Sequence, residues 1–205
     1  MSDEFTSMDE KASYGIGRQV GEQLARQPFD GMSTKALLAG IGDVLDGNPS
    51  QVREADLKSA IDDLNQRMIK KQNENAGKEA AAGEQFLADN ADRDEVKVTD
   101  SGLQYEVLAS GDGETPSASS TVKVHYHGTL IDGTVFDSSV NRGEPIEFPV
   151  NGVIAGWTEA LQLMKTGDKW KLYIPHNLAY GAQGAGGVIG PYQALIFEVE
   201  LLAVK

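Results

Sequence analysis

Apolar residues in the first ninety or so positions recur at helical spacing. Met8, Ala12, Ile16, Val20 and Leu24 step by four and trace one stripe along a predicted helix. Gly17 and Gly21 lie beside that stripe at the same step. A glycine inside a helix costs about 1 kcal/mol relative to alanine, so the pair points to the close approach of another helix backbone. Ser33 is placed to cap a second helix carrying Leu37, Leu38, Ile41, Val44 and Leu45, with Gly47 at its end. After the Asn48-Pro49 turn there is no proline up to Asp94 and only two glycines, Gly77 and Gly83, which predicts one long helix over about 51–94. Leu57, Ile61, Leu64 and Met68 form a heptad-like seam on it. Beyond Met68 come Lys70, Lys71, Gln72, Asn73, Glu74 and Asn75, polar all round, the pattern of an arm that bridges domains through solvent. As a straight helix, the 44 residues would reach about 66 Å.

Near Val96 the period changes to two. Leu103, Tyr105 and Val107 alternate with Gln104 and Glu106; Val122, Val124 and Tyr126 alternate with Lys123, His125 and His127. Trp170, Leu172 and Ile174 form another such run, and Leu195, Phe197, Val199 and Leu201 the last. These are half-buried antiparallel strands, and Asp132-Gly133 is a hairpin turn between two of them. One short helix fits among them, with Trp157, Leu161 and Met164 on one side. The predicted class is α+β: an all-α N-terminal domain over 1–95 that includes the linking helix, then an antiparallel sheet wrapped on one short helix over 96–205. Three small helices cannot bury the apolar stripe and seam alone, so residues 1–70 are expected to form a homodimer.

Charge narrows the partners. The 205 residues carry a formal net charge of -13, with 11 basic and 19 acidic side chains before residue 96. A phosphate backbone or an anionic membrane would be repelled, so neither nucleic acid nor membrane is an expected partner. There is no cysteine, which excludes disulfides, thiolate nucleophiles and cysteine-based zinc sites. The start, Met1 to Phe5, has neither a basic region nor an apolar run, and no stretch approaches a membrane span. Cytoplasm is the expected compartment.

Most chemical motifs fail. The Gly-rich run from Gly181 to Gly190 does not satisfy G-x-G-x-x-G, lacks a following Lys-Ser or Lys-Thr, and precedes a strand. His125 and His127 share one strand face at a spacing that would suit a metal, but the sequence fixes no third ligand, and they read as exposed. No cofactor or metal is implied. What remains is a set of apolar and aromatic residues beside turns: Tyr126, Phe136, Phe148, Val153, Ile154, Trp157, Tyr180, Val188, Ile189 and Phe197. By pattern alone they are either core or the lining of a pocket.

Val124-His125-Tyr126-His127-Gly128 followed by Leu130 to Ser139 resembles the signature of the FK506-binding peptidyl-prolyl isomerases. Phe148-Pro149-Val150, Val153 to Trp157, Leu178-Ala179-Tyr180-Gly181 and Phe197 to Leu202 continue the resemblance in order across 98–205. The helical half is similar to the dimerisation segment of the Mip-like bacterial branch. The resemblance implies an apolar cleft for a prolyl ring, with Trp157 as floor and Tyr126, Phe136, Val153, Ile154 and Phe197 as walls. Tyr180, Val188 and Ile189 would come from a flap-like loop; Phe148 and Ile146 line the wall; Asp137 and Arg142 match the polar rim. The Tyr180 hydroxyl and the Ile154 N–H would hold substrate carbonyls. This chain departs from the family in three places. Ile146 stands where many members have an aromatic, His127 replaces a small hydroxyl residue, and Ala185 to Gly190 lacks the common Pro-Gly and Pro-Pro pairs.

The implied activity is acceleration of X-Pro isomerisation in folding chains, with FK506- or rapamycin-like macrolides as inhibitors. Resonance gives the C–N bond a barrier of about 18–20 kcal/mol and charges the carbonyl oxygen, which water stabilises. The twisted transition state has lost that charge separation, so a dry cleft disfavours the planar form more. No nucleophile, metal or cofactor is needed. A rival reading is a holdase-type chaperone whose isomerisation is incidental; a third is a dimerisation scaffold. A fragment over 96–205 is predicted to carry the isomerase activity alone.

Overall fold

The computed structural model describes residues 5–26 and 28–205; residues 1–4, most of the start read above as lacking a basic region and an apolar run, lie outside them. The chain divides into two compact units, Met1–Lys70 and Lys71–Lys205.

In the first unit the expected helices form. Helix α1 spans Met8–Arg26 and α2 spans Thr34–Leu45. Ser33 caps α2, its side chain accepting the Ala36 N–H at 3.3 Å, and Gly47 turns the chain away at φ +71. Neither helix has a buried residue. Among the described residues nothing beyond the helix's own backbone stands within 4 Å of where a Cβ on Gly17 or Gly21 would lie, so none of them makes the close approach expected there.

Helix α3 runs from Glu54 to Ala91, slightly shorter than the 51–94 expected. In the second unit its last turns are not a solvated arm. Ala76, Gly83 and Asn90 are buried. Phe86 meets Tyr173 with ring centroids 6.0 Å apart, and Asn90 donates to the Gln104 side chain at 2.8 Å. Arg93 donates to the Tyr173 hydroxyl at 2.9 Å and to Glu106 at 3.0 Å. A polar helix can therefore be seated, because its side chains meet polar partners on the sheet face that the alternation had given to water.

The strands are β1 (Val96–Val98), β2 (Gln104–Ala109), β3 (Thr121–Leu130), β4 (Val135–Ser138), β5 (Ile146–Pro149), β6 (Lys169–Ile174) and β7 (Leu195–Val204). All pair antiparallel in the order β1-β2-β6-β7-β3-β4, with β5 also on β3. Burial alternates strictly along β3, with Val122, Val124, Tyr126, Gly128 and Leu130 inside. The Asp132-Gly133 turn joins β3 to β4, Gly133 at φ +87 and the Asp132 carboxylate accepting the Thr134 N–H at 2.8 Å. Between β4 and β5 sits the single turn α4 (Ser139–Arg142).

Helix α5 (Ala155–Leu163) fills the concave side. Trp157, Ala160, Leu161 and Met164 are buried there among Val124, Leu172, Ile174, Leu195 and Val199. A Cβ on Gly156 would meet Ile174 at 2.6 Å, so α5 lies on β6 at a distance only glycine permits. Residues 181–190 form a loop before β7, closed by paired hydrogen bonds between Ala185 and Ile189. Gly181, Gly184, Gly186 and Gly187 all adopt positive φ in it.

Candidate active site

The cleft opens at the end of the sheet where α5, the 181–190 loop and the β4–β5 segment converge. It encloses about 600 Å³, within the size of small-ligand sites. Trp157 forms its floor, 4% exposed, because α5 begins at Ala155 and its first turn carries the indole inward. Three rings stand around it: Tyr126 at 5.4 Å and 84°, Phe197 at 5.1 Å and 82°, Phe148 at 5.4 Å and 57°. Phe136 is edge-on to Phe197 at 5.3 Å. Edge-to-face contacts of this kind favour one fixed cage of rings over several loose packings.

The side chains share a wall for reasons of register. Tyr126 and Phe197 face the same side of neighbouring strands, with Tyr126 opposite Val199 and Gly128 opposite Phe197. Phe136 reaches across because Gly128 has no side chain, and a Cβ there would lie 2.7 Å from the Phe136 ring and 2.8 Å from that of Phe197. Val153 and Ile154 enter from the segment ahead of α5, where the Ile154 carbonyl accepts the Trp157 N–H at 3.0 Å. Tyr180, Val188 and Ile189 come from the loop region; Tyr180 is 39% exposed and Ile189 is buried.

One polar triad marks the rim. The Tyr126 hydroxyl donates to one Asp137 oxygen and Arg142 Nη1 donates to the other, while Arg142 Nη2 donates to the Tyr126 oxygen at 3.0 Å. Burial pushes the Asp137 carboxyl up, but the Tyr126 and Arg142 hydrogen bonds and the Arg142 charge outweigh it and hold it below the usual value. Burial and the Asp137 hydrogen bond raise Tyr126, against the opposing pull of Arg142. Burial and the Asp137 carboxylate thus favour the protonated phenol, which donates to Asp137.

The structure brings together Tyr126, Phe136, Asp137, Ile146, Phe148, Val153, Ile154, Trp157, Tyr180, Val188, Ile189 and Phe197, every cleft residue the sequence pointed to except one. Arg142 does not line the cavity. It stands behind Asp137, on the last residue of α4, and acts by gripping that carboxylate and Tyr126. Gly152, Ala185 and Gly186 also line the cleft and were not singled out. Only their places beside Val153 and within the glycine-rich run carried any signal.

His125 and His127 are half-buried rather than exposed. Their Nδ1 atoms share hydrogen bonds with Ser139 Oγ at 3.0 Å and Ser138 Oγ at 2.9 Å. Ser138 also caps α4, accepting the Asn141 N–H at 3.1 Å. Among the described residues no group of three His, Asp or Glu is placed to hold a metal ion, and no helix is long and apolar enough to cross a membrane.

Residues 112–202 match the family described as FKBP-type peptidyl-prolyl cis-trans isomerase, and residues 9–107 match the domain amino-terminal to it. The chain is 48% identical over 200 residues to the FKBP-type 22 kDa peptidyl-prolyl cis-trans isomerase of Escherichia coli, covering 98% of this chain and 97% of that one. It is 40% identical over 204 residues to the peptidyl-prolyl cis-trans isomerase Mip of Coxiella burnetii, covering 96% and 86%. The crystal structure of FkpA from Escherichia coli superposes with a TM-score of 0.73 at 36% identity, covering 98% of each chain.

Proposed function

The chain belongs to the FKBP-type peptidyl-prolyl cis–trans isomerases, and from that premise we propose how its cleft works and what the helical half adds. The chain accelerates rotation about X-Pro bonds. In our reading the prolyl ring rests on Trp157 between Tyr126, Phe136, Ile154 and Phe197. The observation that carries this is the closed ring cage around Trp157, with one ionised pair, Asp137 and Arg142, confined to its rim.

Within such a cage the carbonyl before proline loses water that would stabilise its resonance charge. The planar ground state is disfavoured relative to the twisted one. A millionfold acceleration needs roughly 8 kcal/mol, and in our reading removing solvation contributes to it without proton transfer. Among the described residues the Ile154 N–H and the Tyr180 hydroxyl make no hydrogen bond, and both residues line the cleft, so both are read as donors to substrate carbonyls. Asp137 orients Tyr126 and does not titrate in the reaction. Ile146, 38% exposed, leaves the adjoining wall open for varied residues before proline.

The helical half is read as a homodimerisation unit that also holds clients. Its support is the apolar surface of α1 and α2, where Met8 is 82% and Val44 79% exposed and no residue is buried. Short helices without a covered face are marginal in water. A client tethered there would meet a cleft at an effective concentration raised by roughly 10²–10⁴. The deciding experiment is a protease-coupled assay on a short X-Pro peptide with and without FK506. Turnover abolished by FK506 supports the cleft assignment; turnover indifferent to saturating FK506 would place the activity elsewhere.

A further inference from the structure

Gln193 stands where the 181–190 loop re-enters the sheet, two residues before β7. Its Oε1 accepts the Gly190 N–H at 2.7 Å, and its Nε2 donates to Glu79 Oε2 on α3 at 3.2 Å. Both ends of one carboxamide are used. A carboxylate only accepts, so the nitrogen end must face Glu79, which leaves the oxygen end for Gly190. Glu79 thereby decides which way round Gln193 points.

Gly190 follows Ile189, a buried wall of the cleft, and Ile189 is bonded to Ala185 by N–H to carbonyl contacts of 2.8 and 3.0 Å. The bonded path runs from α3 through Gln193 and Gly190 to two residues that line the cavity. A steric contact supports it. Gly83, four residues after Glu79 and so on the same helix face, would place a Cβ 3.2 Å from the Ala194 Cβ. The middle of the loop has no such tie: Gly186 and Gly187 have open space around them and Val188 is half exposed.

We propose that Glu79 is a positioning residue for the cleft: through the Gln193 carboxamide it sets the Ile189 wall, so α3 governs how well a prolyl segment binds. This rests on the isomerase reading of the cleft. The wall is complete before the bond rotates, so its loss weakens binding of ground and transition states alike. Helix α3 is continuous from Glu54, and a shift of the helix at Glu79 would reach the cleft by the same route.

The test uses intact protein and combines amide hydrogen exchange with steady-state kinetics on an X-Pro tetrapeptide. Glu79→Ala should speed exchange of the Gly190 amide about tenfold and raise KM about threefold or more with kcat within about twofold. Glu79→Gln, whose amide oxygen still accepts, should restore both. In a Gln193→Leu background, Glu79→Ala should add nothing. An unchanged Gly190 amide and KM in Glu79→Ala would overturn the proposal. So would a Glu79→Gln protein as impaired as Glu79→Ala, or additive losses in the double variant. An inactive wild-type protein would defeat the cleft reading, whereas the exchange measurement decides the relay by itself.

Discussion

Trp157 stands edge-on to Phe197, ring centroids 5.1 Å apart and planes 82° from parallel. The indole is held from three sides, so truncation removes both the floor and the support of its neighbours. Trp157→Ala should lower kcat/KM at least about tenfold and cost about 3–5 kcal/mol of stability. Circular dichroism must accompany the kinetics. Wild-type turnover in a folded variant would remove Trp157 from the floor.

Asp137 is tied to two partners at the rim, and Asp137→Val should likewise lower kcat/KM at least about tenfold with the fold intact. The pH dependence has a definite sign. The carboxyl lies below its ordinary value in the native state, so its contribution to stability is present above the unfolded-state value, about 3.9. It fades as pH falls below that value through the native one. Denaturation of wild type and Asp137→Asn from pH 7 downward should show a constant difference that shrinks only below about pH 4. A difference that grows on acidification would contradict the assignment.

Gly128 is the gap through which Phe136 and Phe197 meet. Gly128→Ala inserts a methyl 2.7 Å from one ring and 2.8 Å from the other. Overpacking of this order costs about 1–3 kcal/mol, and the half-exposed Phe136 is the ring free to yield. Peptide KM should rise about tenfold while the far-UV spectrum stays unchanged. A variant with native KM would mean that the Phe136 wall does not touch substrate.

A fragment of residues 71–205 should isomerise a tetrapeptide within about twofold of the intact chain, since it keeps the turns of α3 seated on the sheet. A fragment of 96–205 loses Phe86, Asn90 and Arg93 from Tyr173, Gln104 and Glu106. Its stability should fall by about 1 kcal/mol for each hydrogen bond lost. Urea denaturation of the two fragments makes the comparison; equal midpoints would show that the seated turns contribute nothing.

Light scattering of the intact chain at micromolar concentration should give a dimer, and the 71–205 fragment a monomer. A monomeric intact chain would leave the uncovered apolar residues of α1 and α2 without an occupant.

Much of this was legible in the sequence, for separable reasons. Strand alternation placed Val122, Val124 and Tyr126 inside because β3 is regular over ten residues. The cleft residues were legible through motif order, although pattern alone left each between core and pocket. The seating of α3 was not legible. Its contacts are made by Asn90 and Gln104, polar residues whose burial depends on meeting each other across 14 positions. Likewise His125 and His127 read as exposed because their partners, Ser139 and Ser138, reach them only after β4 folds back on β3. Arg142 matched the rim by motif; only the fold put Asp137 between it and the cavity.

The loop over the cleft is specified by handedness more than by side chains. At Gly186 and Gly187, φ is +59 and +73, yet nothing lies within 4 Å of where a Cβ would stand. Space is available, and the left-handed backbone alone disfavours L-residues there by about 1–2 kcal/mol, a cost that Tyr192, at φ +59, bears nearby. Of the side chains on this wall, point mutation can retune Tyr180, Ala185, Val188 and Ile189 directly, with Glu79 and Gln193 acting on them from behind. A mirror-image alanine introduced by chemical ligation at either glycine would keep the backbone where it is, and would stiffen it by narrowing what the unfolded chain can sample.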